Sequence, residues 1–149
     1  MSLNSCWPVN VPVPVPVPER RNRWKGCADR RGMQLDHERL DVYDLALQFL
    51  VLANGIIEGL PRGRSHLADQ FTRASLSIVL NLAEGAGKHS KLDKRRYYVT
   101  ARGSATESAA LLDVCLRLEL LDEAGHKTAK AMLVRIVSML IKLAQSCEE

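Results

Sequence analysis

The sequence predicts an all-α protein, an antiparallel up-down-up-down four-helix bundle over residues 33–149 behind a disordered N-terminal extension over residues 1–32. Three observations predict it. Hydrophobic residues make up 46% of the 149 residues and aromatics only 5%, a Leu- and Ala-rich balance that favours helices over a sandwich or barrel. Four long stretches space their apolar residues by three and four. The connections between them are short and carry turn or capping residues, so successive helices run antiparallel. A chain of this length fills one core and not two.

The extension comes first. Residues 9–18, VNVPVPVPVP, alternate valine with proline, which removes backbone donors and fixes φ; the tract reads as a solvated polyproline-type rod. The polar, basic ERRNRWKGCADRRG that follows has no amphipathic period. Its functional reading is a peptide ligand or a basic arm; its composition favours disorder. Nothing after Met33 needs what precedes it, which makes Met33 a plausible start.

From Asp36 onward the period is helical. Leu40, Tyr43, Leu47, Leu50, Asn54 and Ile57 form one stripe, and Val42, Leu45, Phe49, Leu52 and Ile56 form another about 140° around the helix. One helix with two apolar faces has more to bury than a single neighbour covers, and this points to a bundle that also oligomerises. Gly59-Leu60-Pro61-Arg62-Gly63 ends it. Ser65 is placed to cap a second helix with Leu67, Phe71, Ala74, Ile78 and Leu82 on one face, stopped by Gly85-Ala86-Gly87, whose glycines are free to take positive φ. Ser90, with Asp93 three residues on, approximates a capping box for a third helix of nearly thirty residues. Its residues Ala101, Gly103, Ser104, Ala105, Ser108 and Ala109 are small enough for close helix approach. Asp122 caps a fourth helix whose apolar face is Ala129, Met132, Leu133, Ile136, Met139, Leu140 and Leu143.

Several chemistries are disfavoured. NLAEGAGKHSK, residues 81–91, resembles the end of a phosphate loop, but Leu82 and His89 stand where that motif needs Gly and Ser or Thr, and a helix precedes it instead of a strand. A di-iron bundle needs two Glu-x-x-His pairs, and Glu123 to His126 supplies one. Cys6, Cys27, Cys115 and Cys147 lack metal-ligand spacing, and Cys115 reads as a buried free thiol. No nucleophile has an identifiable base and orienter. The expectation is a non-enzymatic protein with no catalytic residues, no metal and no cofactor. With no signal-like segment and no membrane-spanning run, it reads as cytoplasmic.

Charge is unevenly placed. Residues 1–32 carry six Lys and Arg against two acidic residues, the whole of the formal +4; from residue 33 onward 15 basic residues balance 15 acidic ones. Within the bundle, cations concentrate at Lys88, Lys91, Lys94, Arg95, Arg96 and Arg102, beside His89. Lys91, Arg95 and Arg102 fall within about 40° of one another on the third helix. This is either a solvated helical face or a phosphate-contacting patch that binds RNA or DNA with strong salt dependence. Tyr97 and Tyr98 are placed to stack on bases, though packing in the bundle suits them better.

The run LNLAEGAGKHSK, continued by YYVTARGSATE, resembles the motif of the four-helix bundle proteins first noted as products of intervening sequences in bacterial 23S rRNA genes. Asn81, Ala83, Glu84, Gly85, Gly87, Ser90, Ala101, Gly103, Ser104 and Glu107 carry the match, which extends from about residue 37 to IVSMLIKLA near the C terminus. The resemblance implies an antiparallel four-helix bundle assembled as a homopentameric ring. A structurally similar relative, the accessory protein of diversity-generating retroelements, is a basic pentamer that binds a reverse transcriptase and nucleic acid. The balanced charge of residues 33–149 departs from that relative. The motif is expected to be architectural: Asn81, Glu84 and Glu107 need partners if buried, with Glu84 paired to Arg102 or a loop lysine while Gly103 and Ser104 let the helices close around the pair.

Overall fold

The computed structural model describes residues 34–148; the Val-Pro tract, the basic extension and Met33 lie outside them. A short 3-10 turn at Asp36–Arg39 leads into α1 (Asp41–Glu58), α2 (Ser65–Ala86), α3 (Lys91–Arg117) and α4 (Glu123–Gln145). Among the described residues there is no strand. The predicted all-α, up-down arrangement is what these helices form, with α1 and α3 each packed between α2 and α4.

One side of each helix supplies the core. Val42 and Phe49 of α1, Phe71, Ile78 and Leu82 of α2, Leu112 of α3, and Leu133, Ile136 and Leu140 of α4 are all essentially inaccessible. Each large side chain so buried is worth roughly 1.5–3 kcal/mol relative to exposure. Cys115 is buried among them and free, as its apolar run suggested, and burial pushes its thiol pKa up. The first stripe of α1 behaves differently. Tyr43, Leu50 and Ile57 are only half-buried and Leu47 is exposed.

Two predicted caps form. Asp122 Oδ1 accepts from the Gly125 N–H at 2.8 Å, and Ser90 Oγ accepts from the Asp93 N–H at 3.4 Å. The third does not. Arg64, not Ser65, is the N-cap of α2, and its carbonyl accepts from the Leu67 and Ala68 N–H groups at 3.0 and 3.1 Å. The Arg64 N–H is already turned back onto the Pro61 carbonyl at 3.3 Å, so the Pro61 turn starts the helix one residue earlier than a serine cap would.

The glycines between α2 and α3 also differ from expectation. Gly85 lies inside α2 and Gly87 has φ −77°, so neither uses a left-handed conformation. Gly85 is required for space instead: a Cβ there would stand 2.8 Å from Tyr98 Cε1 and 3.0 Å from Tyr97 Cβ. The left-handed residue that closes a helix is Glu119, at φ 56° after α3. The Leu120 N–H reaches the Cys115 carbonyl at 2.9 Å and the Glu119 N–H reaches that of Leu116 at 3.0 Å, a Schellman pair formed without glycine.

Candidate nucleic-acid interface

The bundle brings together three of the six candidate cations. Lys91, Arg95 and Arg102 stand on the flank of α3 that faces α4, the flank fixed by the contact of Asp113 with Lys130 of α4 and of Arg95 with Glu148 just beyond that helix. Arg96 points away from α4 on the exposed back of α3, and Lys94, half-buried, turns toward the end of the core. Lys88 lies in the α2–α3 connection with its Nζ 5.0 Å from the centre of the Tyr97 ring. Such a cation–π contact is worth about 0.5–1 kcal/mol at an exposed site. Tyr98 is buried in the core, and that burial raises its hydroxyl pKa, so it offers no ring to a base.

One of the three cations on this flank, Arg95, has an acidic partner among the described residues. Arg95 Nε donates to Glu148 Oε1 at 2.7 Å, from a shallow depression lined by Lys91, Leu92, Arg95, Cys147 and Glu148. Further along, Asp113 accepts from Lys130 Nζ at 2.5 Å and lies 2.7 Å from His126 Nε2. The Lys130 and His126 hydrogen bonds hold the Asp113 carboxyl pKa below the usual carboxylate value. Glu148 and Lys130 escaped the sequence reading because their partners lie 53 and 17 residues away, and only the antiparallel register of α3 and α4 brings them together.

The motif residues divide between seam and surface. Asn81 Nδ2 donates to the Ser77 carbonyl at 2.8 Å and to Ser77 Oγ at 3.0 Å, and Ser77 Oγ in turn lies 2.8 Å from Ser104 Oγ. Ser104 also donates to the Thr100 carbonyl at 3.2 Å. Ser77 is therefore the hub of a hydroxyl and amide chain across α2 and α3; its position one turn before Asn81 was the only sequence signal for it. Gly85 completes this close approach against Tyr98.

Glu84, Gly103 and Glu107 are exposed. The expected pairing of Glu84 with Arg102 or a loop lysine does not form, for among the described residues Glu84 has no cation within bridging distance. Glu84 points outward from α2, and Arg102 faces α4 on the other flank of α3. Gly103 does not let the helices close either, because a Cβ there would meet nothing within 4 Å. Glu107 instead accepts a hydrogen bond from Gln70.

The four-helix part of the chain is what the comparisons match. The family model described as 23S rRNA-intervening sequence protein matches residues 38–142, through all of α1 to α3 and most of α4. The chain belongs to this family. A crystal structure of a protein with unknown function from the S23 ribosomal protein family of Bacteroides thetaiotaomicron VPI-5482 has a TM-score of 0.65 and 22% identity, over 69% of this chain and 97% of that one. That likeness supports the fold of the 23S rRNA-intervening sequence family and nothing finer. No curated protein matches the chain.

Among the described residues, no group of His, Cys, Asp and Glu is arranged to hold a metal ion, and no helix is long and apolar enough to cross a membrane.

Proposed function

We propose that the protein is a non-enzymatic, ring-forming scaffold, pentameric as the family resemblance implies, that works in the cytoplasm and engages RNA, DNA or a nucleic-acid enzyme through Lys91, Arg95 and Arg102. The observation that carries this reading is a pair of exposed apolar residues on each of α1 and α2, on the side of the bundle away from the basic stripe. On α1, Leu47 and Val51 are one turn apart and exposed; on α2, Leu76 and Leu80 are likewise one turn apart and exposed. Leu47 and Leu76 stand eleven residues from the facing ends of the α1–α2 hairpin, so they lie level with each other. Four large apolar side chains on one face are suited to burial against another copy. The opposite face, between α3 and α4, carries the basic stripe, with Leu92 and Val134 exposed beside it.

In a ring, each modest basic stripe is repeated, and weak phosphate contacts multiply by avidity. Lys88, Lys94 and Arg96 surround the stripe and contribute longer-range attraction. The alternative, a purely structural oligomer with no nucleic-acid binding, is favoured by the pairing of Arg95 with Glu148 and by the balanced charge from residue 33 onward.

The test is binding of the full chain to labelled RNA and DNA across a range of salt, beside a Lys91, Arg95 and Arg102 triple-alanine variant, with native mass measured for both. The variant keeps every cation of the N-terminal extension, so any loss belongs to α3. The expected result is one oligomeric mass for both proteins and a variant at least about tenfold weaker, its salt slope reduced by about 2 for single strands. Equal binding by both proteins removes the stripe as the site; no binding at low salt leaves the structural oligomer.

A further inference from the structure

We propose that Glu148 is a built-in competitor for the basic stripe: its carboxylate occupies Arg95 in the free protein and leaves when a phosphate takes its place. The inference rests on the nucleic-acid reading above and concerns regulation of that same site. Arg95 is the middle cation of the stripe, one turn after Lys91 and two turns before Arg102. Its Nε–H is committed to Glu148 Oε1 at 2.7 Å, which puts an anionic oxygen where a backbone phosphate would bind.

Glu148 is held in place to do this. It follows the end of α4 in a hydrogen-bonded turn, with the Ser146 N–H on the Lys142 carbonyl at 3.0 Å, the Cys147 N–H on that of Ala144 at 3.3 Å, and its own N–H on that of Gln145 at 2.9 Å. Cys147 packs against the core, so the turn is anchored on its inner side while the carboxylate faces outward. Lys91, Leu92 and Cys147 complete the depression in which the pair sits.

The strength of the pair sets the size of the effect. The Arg95 and Glu148 side chains are 43% and 53% exposed, so water and salt screen the contact. Glu148 therefore attenuates binding and does not abolish it. Linkage requires the reverse as well: a phosphate on Arg95 releases Glu148 by the same factor by which Glu148 weakens the phosphate.

The experiment compares full-length wild type, Glu148→Gln, Arg95→Gln and the double variant for binding to a labelled uridine-only RNA at several salt concentrations. Glu123→Gln removes the same charge at the other end of α4 and serves as control. Glu148→Gln is expected to tighten binding about threefold to fivefold, the range of an exposed ion pair, because Arg95 no longer has to release a carboxylate before it takes a phosphate. In the Arg95→Gln background the gain should vanish, and Glu123→Gln should give less than half of it. A Glu148→Gln protein that binds like wild type overturns the competitor while leaving the RNA site standing. So does a gain that persists without Arg95 or is matched by Glu123→Gln. If neither wild type nor Glu148→Gln holds RNA at the lowest salt, the site and its competitor fall together.

Discussion

The two seams that α3 makes with its neighbours are built from different chemistry. Toward α2, the packed centre of the contact is short-range and neutral: Gly85 lets Tyr98 lie against the α2 backbone, and Asn81, Ser77 and Ser104 link the helices through amide and hydroxyl groups, with the Gln70–Glu107 hydrogen bond confined to the exposed edge. Toward α4, the rim is ionic, with Asp113 between Lys130 and His126 and Arg95 on Glu148. A neutral, close-packed seam has one good arrangement and no substitute partner in solution. An exposed ion pair exchanges its partner for any competing ion. The α2 seam thus fixes the architecture, while the exposed pairs of the α4 rim are the part of the bundle open to salt and pH.

The strongest way to break this distinction is to add volume at the neutral seam. Gly85→Val places methyl groups where even a Cβ would be 2.8 Å from the Tyr98 ring. The expected loss is about 3 kcal/mol, the upper end of ordinary overpacking. Gly103→Ala is the matched control on the partner helix. Its Cβ meets nothing within 4 Å, so the gain in helix propensity should stabilise the fold by about 0.5–1 kcal/mol. Urea unfolding of both variants reads the contrast directly. Two destabilising glycine substitutions would show that Gly103 has a partner outside the single chain.

The difference between the seams also explains what could be read from the sequence. The four helices were legible because burial of one side leaves a three-four period, and the Ser90 and Asp122 caps were legible because a cap bonds three residues ahead. Those are local rules. Gly85 was legible as a special residue but not for its reason, since a glycine needed for a left-handed turn and one needed under a tyrosine look the same until the facing helix is known. Arg64 in place of Ser65 reflects the Pro61 turn, whose exact geometry sets the start of α2. Of the two stripes of α1, the second, Val42, Leu45, Phe49 and Ile56, is buried in the core, and the first is the one left partly outside it. The period alone does not say which of two apolar stripes the other helices take. The least legible contacts were Arg95–Glu148 and Asp113–Lys130, which depend on helix register and on nothing nearby in sequence.

A middle-sized effect is expected at the ionic rim, and its sign follows from Asp113. Its carboxyl pKa is held down, first by the Lys130 hydrogen bond and then by that of His126. A depressed carboxyl contributes stability that is complete above its unfolded value and is lost as pH falls through the folded one. The window therefore opens at about pH 4, the ordinary aspartate value, and extends below it. Asp113 is half-exposed, so solvent limits the contribution to about 0.5–1 kcal/mol. Asp113→Asn should cost that much at neutral pH and almost nothing well below pH 4. Thermal unfolding across pH checks this, and added salt should shrink the gap at neutral pH while leaving the Gly85→Val loss unchanged. A gap that persists into strong acid would mean that packing, not charge, joins the ends of α3 and α4.

The smallest effect belongs to Glu84, and it separates what this residue does for one chain from what it does between chains. As an internal partner of Arg102 it would hold α2 to α3, and its loss would lower the melting temperature. Instead it stands exposed on α2 with no cation in reach among the described residues, and the hydrogen bonds of the seam run through Ser77 and the Gln70–Glu107 pair and not through it. An exposed carboxylate without a partner contributes little, so Glu84→Ala should change unfolding free energy by no more than about 0.5 kcal/mol. Native mass measured on the same variant completes the test. Unchanged stability with unchanged mass makes Glu84 a solvated surface residue. Unchanged stability with a lower native mass than wild type gives its carboxylate a cation on a neighbouring copy, which would add the outer edge of α2 to the proposed oligomer contact. A fall of more than about 1 kcal/mol would return Glu84 to the seam and undo the division drawn between the two sides of α3.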